Sequence, residues 1–223
     1  LVLAYLFGFQ IYFDFAGYSH IAIGCAKIMG IHFPENFNFP YLAYSFKNFW
    51  KRWHISLSSW IRDYLYLPIL GVKIKNRESL SKGGLAVVVN KDSRSPTLAL
   101  FLTWAIMGLW HGANWTFAFW GIYHAFFIFI ERFIPKKFNQ FKFINKFTGW
   151  LIVLPITMLS WIPFRAESLH QTFSLFMKLF NLNLYFSYSL RENDLLITAI
   201  LFLAVIISGL LSKVDLNSFK YGN

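Results

Sequence analysis

The chain has 223 residues, of which 57% are hydrophobic, 21% aromatic and only 14% charged, a balance that excludes an ordinary soluble domain. A net charge of +11 invites a nucleic-acid reading, but the basic residues gather between apolar runs, as in cytoplasmic loops of a membrane protein, and form no soluble basic face. The one cysteine, Cys25, leaves no internal disulfide to form and says nothing of redox compartment.

Leu1 to Ala26 is apolar except for Asp14 and the polar His20, which predicts a first membrane span. It has no basic region ahead of it and no initiator Met, so we expect a C-terminal fragment whose first residues lie inside a membrane segment. A charge at such depth is rarely idle. Asp14 is expected either to orient a histidine of another helix or to serve as a structural partner for Arg52 or Arg62, the structural role being favoured.

"KNFWKRWHISLSSWIRDYLYLP", 47 to 68, interrupts this greasy chain with tryptophans and cations. On a helical wheel Trp50, Trp53, Leu57, Trp60 and Tyr64 make one stripe, and Lys47, Lys51, His54, Ser58 and Arg62 make another. The spacing predicts an amphipathic helix over about 46–67, lying at the interface with its rings among lipid headgroups and its cations in water. His54 among cations should be held neutral by like-charge repulsion, which suits a proton acceptor beside an anionic ligand. From 71 to 95 a polar loop is expected, turning at Gly83 and Gly84.

Pro96 to Ile130 is a charge-free run of 35 residues, too long for one crossing, and "HGANW" at 111–115 breaks it. A helical hairpin is predicted, with His111 at its tip or at membrane depth. Gly108, Gly112 and Asn114 permit the break, and irregular backbone at depth survives only against protein or a watery cavity. His124, further along, is expected to donate a hydrogen bond between packed helices. Phe147–Phe164 and Leu195–Ser212 can each span. Residues 46–95 carry ten Lys and Arg against three acids, and 136–146 four Lys against none, so both should face the cytoplasm. The 165–194 connection, three basic against three acidic, suits the opposite side.

No cysteine cluster, HExxH, Walker loop or GxSxG occurs, so metal and nucleotide hydrolysis and a serine elbow lack support. Histidine is the base on offer.

Three ordered stretches, "QIYFDFAGYSHIAIG", "FWKRWHISLSSWIRDYLYLP" and "GLWHGANWTFAFWGIYHA", resemble the membrane-bound O-acyltransferase family, and within it the bacterial alginate and peptidoglycan O-acetyltransferase branch. The resemblance covers nearly the whole chain and is strongest from about Phe9 to Arg132. It implies an all-α, polytopic integral membrane protein of the bacterial inner membrane, a single domain over 1–223 built as a helical funnel and incomplete at its front. It further implies that His111 is the essential catalytic histidine and His54 a second site histidine. Lys51, Arg52, Ser58, Arg62, Asp63, Trp110 and Asn114 are expected around the substrates. No metal is implied; acetyl-CoA is the implied acyl donor, a cell-envelope polysaccharide the acceptor, and a periplasmic SGNH-type enzyme the partner. Two departures stand out: His20 replaces an acid of the usual "YSDMAIG" wording, and the element after "RDYLY" reads "LPILGVKIKN". Alternatives are a D-alanyl transferase of the same family, fed by a carrier protein, and a transporter or channel with Asp14, His111 and His124 along a polar path.

Overall fold

The computed structural model describes residues 2–74, 87–89, 95–133, 142–181, 183 and 192–211. Its frame is a set of long apolar helices: α1 (Val2–Ile28), α5 (Pro96–His111), α6 (Trp115–Glu131), α7 (Lys142–Arg165) and α9 (Glu192–Leu211). Short elements connect them: α2 (Phe46–Trp50), α3 (Ile55–Ile61), a π-helical turn (Arg62–Tyr66), α4 (Leu67–Ile69) and α8 (Leu169–Lys178). The expectation of an all-α chain needs one correction. Val72–Ile74 (β1) and Val87–Val89 (β2) pair antiparallel, Lys73 opposite Val88, so the loop expected over 71–95 contains a short ribbon made, apart from Lys73, of β-branched residues. Gly83 and Gly84 lie outside the described residues.

α5 and α6 form the hairpin that the break in the apolar run predicted. Ser95 caps α5, accepting from Leu98 N, and Pro96 occupies its first turn. Asn114 then caps α6 by accepting from Thr116 N at 3.1 Å. The two helices touch backbone to backbone: a Cβ on Gly108 would run into Phe117 O, and one on Gly121 into Trp104 O. α7 packs on α6 and α1, and α9 on α1. Between them sits an aromatic core of Phe9, Tyr41, Phe49, Trp50, Trp53, Trp120 and Trp161. Tyr123 OH donates to Ile156 O at 2.8 Å and Trp150 Nε1 to Tyr41 O at 2.8 Å, which satisfies polar groups that apolar surroundings would otherwise leave costly.

The outer faces are as apolar as the core. Leu98, Leu102, Ile106 and Leu109 on α5 are all exposed, as are Ile122, Phe126 and Ile130 on α6 and Leu196, Ile200, Leu203 and Ile207 on α9. Continuous apolar stripes of this kind are surfaces that water does not cover, lying against hydrocarbon or against further protein. Among the described residues one helix, Lys146–Arg165, is long and apolar enough to cross by itself, with a mean hydropathy of 1.6. α1 is longer, but Gln10, Asp14, Tyr18 and His20 dilute it.

The single amphipathic helix expected over 46–67 is not what forms. α2 ends at Trp50, and His54 adopts the left-handed conformation (φ 43°, ψ 57°) before α3 begins. The aromatic stripe is divided accordingly. Trp50 and Trp53 are buried in the core, whereas Trp60 and Tyr64 are exposed and stack on each other at 5.4 Å. The rings expected together among headgroups therefore point two ways, because the chain reverses between them.

Candidate functional site

His111 is the last residue of α5, where helix geometry stops and Gly112 continues in extended backbone. Its ring is half-buried and sits in a cup of aromatic side chains: Trp110 at 4.9 Å, Trp120 at 5.1 Å and Phe164 at 5.3 Å between centroids, all steeply inclined. Trp120 is fully buried and rigidly placed, so the cup derives from α5, α6 and α7 together. The ring is neither wholly wet nor sealed in the core.

His54 is positioned by a different logic. Residues 36–38 run beside 52–55, with Asn38 N donating to Arg52 O at 2.9 Å and Ile55 N to Asn36 O at 3.0 Å. His54 lies half-buried inside this two-rung bridge, with Phe15 of α1 edge-to-face at 4.6 Å. Burial first, and then the charge of a protonated His111, push its pKa down to about 4. The imidazole is neutral near pH 7, as the sequence suggested, but the cause is burial and His111 instead of the neighbouring cations.

The residues expected around the substrates divide. Lys51 is exposed, its backbone N–H donating to Lys47 O at 3.2 Å. Arg52 is committed to the fold, donating to Asn48 Oδ1 at 2.9 Å and Asn38 O at 3.0 Å. Arg62 is engaged by its neighbour Asp63 through two hydrogen bonds, at 2.6 and 3.1 Å. Ser58 Oγ reaches back to Trp53 O at 3.2 Å across the chain reversal. Trp110 is 65% exposed and covers one side of His111. Asn114 spends its oxygen on the α6 cap and its nitrogen on Glu167 O at 3.0 Å, which ties the hairpin tip to the α7–α8 corner. Its amide is thus structural in this arrangement.

Asp14 is exposed, and neither Arg52 nor Arg62 is its partner; both are engaged elsewhere. His20, in place of the acid, comes within 3.9 Å of Glu35 on the surface. His124 is wholly buried and makes an interhelical bond, but as acceptor where a donor was expected: Trp50 Nε1 donates to its Nδ1 at 3.3 Å. Asp14 and His124 therefore do not join His111 along a polar path, which removes the arrangement a channel reading requires. Sequence patterning missed Asn36 and Phe15. The signal for Asn36 was a polar residue held between Pro34 and Pro40 in a segment otherwise read as connection. Among the described residues no group of His, Cys, Asp and Glu forms a metal site.

The chain is similar in sequence to known proteins of one family. A family model described as MBOAT, membrane-bound O-acyltransferase family, matches residues 1–89. A probable alginate O-acetylase of Pseudomonas putida is 43% identical over 166 residues, 72% of this chain and 29% of that protein. A peptidoglycan O-acetyltransferase of Helicobacter pylori is 35% identical over 178 residues, 79% of this chain and 31% of its own length. A teichoic acid D-alanyltransferase of Bacillus subtilis is 36% identical over 163 residues, 70% of this chain and 37% of that protein. The chain spans about three tenths of the length of the curated acetylases it matches.

Proposed function

The chain belongs to the membrane-bound O-acyltransferase family, and from that premise we propose that it moves an acetyl group from a cytoplasmic thioester donor, acetyl-CoA, toward hydroxyls of a cell-envelope polysaccharide. The acceptor is peptidoglycan or an alginate-like glycan, the polymers that its acetylating relatives are named for. We place the protein in the bacterial inner membrane as a multi-pass helical funnel working with a periplasmic SGNH-type acyltransferase. The observation that carries the reading is His111, half-buried at the end of α5 in a cup of rings drawn from α5, α6 and α7.

In the proposed reaction the neutral imidazole of His111 accepts the proton of an attacking hydroxyl while that oxygen bonds to the thioester carbonyl carbon. The carbon–sulfur bond then breaks, and the thiolate leaves with the proton returned by the imidazolium. General-base assistance of this kind contributes about 10² to 10⁴ in rate. The aromatic cup of Trp110, Trp120 and Phe164 limits water, which protects the thioester from hydrolysis. His54 stands by as a second neutral base, and exposed Lys51 offers a cation to the anionic donor. The same attack with imidazole as nucleophile gives an acyl-His111 intermediate; trapping labelled acetyl on the protein distinguishes the two routes.

Measurement of labelled acetyl transfer by membranes carrying the full-length protein tests the proposal, together with the O-acetyl content of peptidoglycan and exopolysaccharide after its removal. Unchanged ester content in both polymers, with no acetyl-CoA consumed, overturns it. A second reading, D-alanyl transfer from a carrier protein, is favoured by the relative of that name at 36% identity. Loss of D-alanyl esters in place of acetyl esters would select it.

A further inference from the structure

The geometry points to Asn36 as a positioning residue that holds His54 in its Nδ1–H tautomer and leaves Nε2 free as a second proton acceptor, in addition to His111. Three contacts converge on Asn36 Oδ1: Ser56 N at 3.2 Å, Ser56 Oγ at 2.7 Å and His54 Nδ1 at 3.3 Å. A backbone N–H can only donate, so the atom facing Ser56 N is the amide oxygen and not the nitrogen. A carbonyl oxygen can only accept. His54 Nδ1 must therefore carry the hydrogen, and in the neutral ring the lone pair falls to Nε2.

The backbone serves the same end. Asn36 O accepts from Ile55 N, so this one residue grips 54, 55 and 56 through both its main chain and its side chain. His54 is one of two non-glycine residues at positive φ among those described, a sparsely populated conformation that persists where surroundings over-determine it. Here the surroundings are identifiable: Asn36 on one side and the ring of Phe15 on the other. Fixing the orienting partner of an imidazole fixes which nitrogen does chemistry.

The groups that bear on His54 are few. His111 acts on it electrostatically; Phe15, itself packed on Phe37 at 5.0 Å, covers it without charge. Arg52 turns to Asn48 and Asn38, and Glu35 turns to His20. An acid placed at position 36 would thus be the nearest new charge.

This inference rests on the reading of the site as an acyl-transfer centre, and its test has one readout that does not. Histidine ¹⁵N spectra of the full-length protein in proteoliposomes, assigned with His54→Gln, report the tautomer directly. The expected result is a protonated Nδ1 and a bare Nε2; a protonated Nε2 overturns the inference. Acetyl transfer against pH is then compared for the wild type, Asn36→Asp and Asn36→Ala. Asn36→Asp keeps every acceptor, so it folds, and its negative charge favours imidazolium. The acid limb should move up by about 1 to 2 pH units, with kcat depressed at low pH, recovered at high pH, and KM for the donor unchanged. Asn36→Ala should lower kcat about 10- to 100-fold with KM within about twofold, and its ¹⁵N spectrum should show mixed tautomers. An unshifted acid limb in Asn36→Asp would overturn the positioning role even with the tautomer as expected. If the wild type transfers no acetyl, the acyl-transfer reading fails while the ¹⁵N result still decides the tautomer.

Discussion

Gly108→Ala is the most informative perturbation of the hairpin, because one methyl group links packing to the position of His111. A Cβ built at Gly108 falls on Phe117 O and stands 2.9 Å from Phe117 C and 3.2 Å from Ala118 Cα. All three belong to α6 and none is the flexible end of a side chain. Restoring ordinary contact requires α5 and α6 to part by about 1 Å at this level, since carbon atoms rest near 3.5 Å or more. Overpacking of this kind costs about 1–3 kcal/mol. His111 lies one turn beyond Gly108, so its ring shifts against Trp120 and Phe164, and a displacement of about 1 Å near reacting groups is worth up to about 10²-fold in rate. Gly24→Ala supplies the control: a Cβ there meets nothing within 4 Å, and relief of helix-interior glycine should stabilise by about 0.5–1 kcal/mol. Unfolding in detergent and acetyl transfer in membranes read the two effects. If Gly108→Ala matched Gly24→Ala in both, the backbone contact would not be positioning the histidine.

His111→Gln should reduce acetyl transfer by about 10² to 10⁴ while leaving unfolding in detergent nearly unchanged, and turnover close to wild type would remove His111 from the chemistry. Because burial and His111 hold His54 at about 4, protonation of His54 should begin only well below neutrality; its ¹⁵N titration should inflect near pH 4, and an inflection at 6.5 contradicts the buried placement. Trp50→Phe strands a buried acceptor on His124 and should destabilise by about 1–3 kcal/mol. A double-mutant cycle with His124→Phe should return a coupling of about 0.5 kcal/mol or more, whereas additive effects argue against the bond. Asp63→Asn, at the exposed Arg62 pair, should change stability by less than about 1 kcal/mol, and a larger loss indicates a role beyond the ion pair.

Much of the frame was legible in the amino-acid order because it follows from local physics. Apolar runs of sufficient length become helices wherever backbone groups must satisfy themselves, which placed α1, α5, α6, α7 and α9. A charge-free run too long for one crossing had to fold back, and Gly112 with Asn114 showed where. His111 stood out as an imidazole at that fold. The interhelical duty of His124 was legible for a similar reason, since a polar ring in an apolar run needs a partner.

What only the tertiary structure decided lies between Lys51 and His54. A helical wheel assumes that each residue continues the rotation of the one before. One left-handed residue breaks that assumption, sending Trp50 and Trp53 into the core and Trp60 and Tyr64 to the surface. Nothing periodic in 46–67 announces the break, because it is held from elsewhere by the bridge to residues 36–38. Arg62, read as part of the cationic face, is engaged by its neighbour Asp63, and Arg52 reaches across to Asn38 O, a contact that the wheel does not contain. Residue type and spacing chose the helices and the candidate base; contacts between distant segments chose the direction in which the second histidine faces, since hydrogen bonds across a fold leave no period in the sequence.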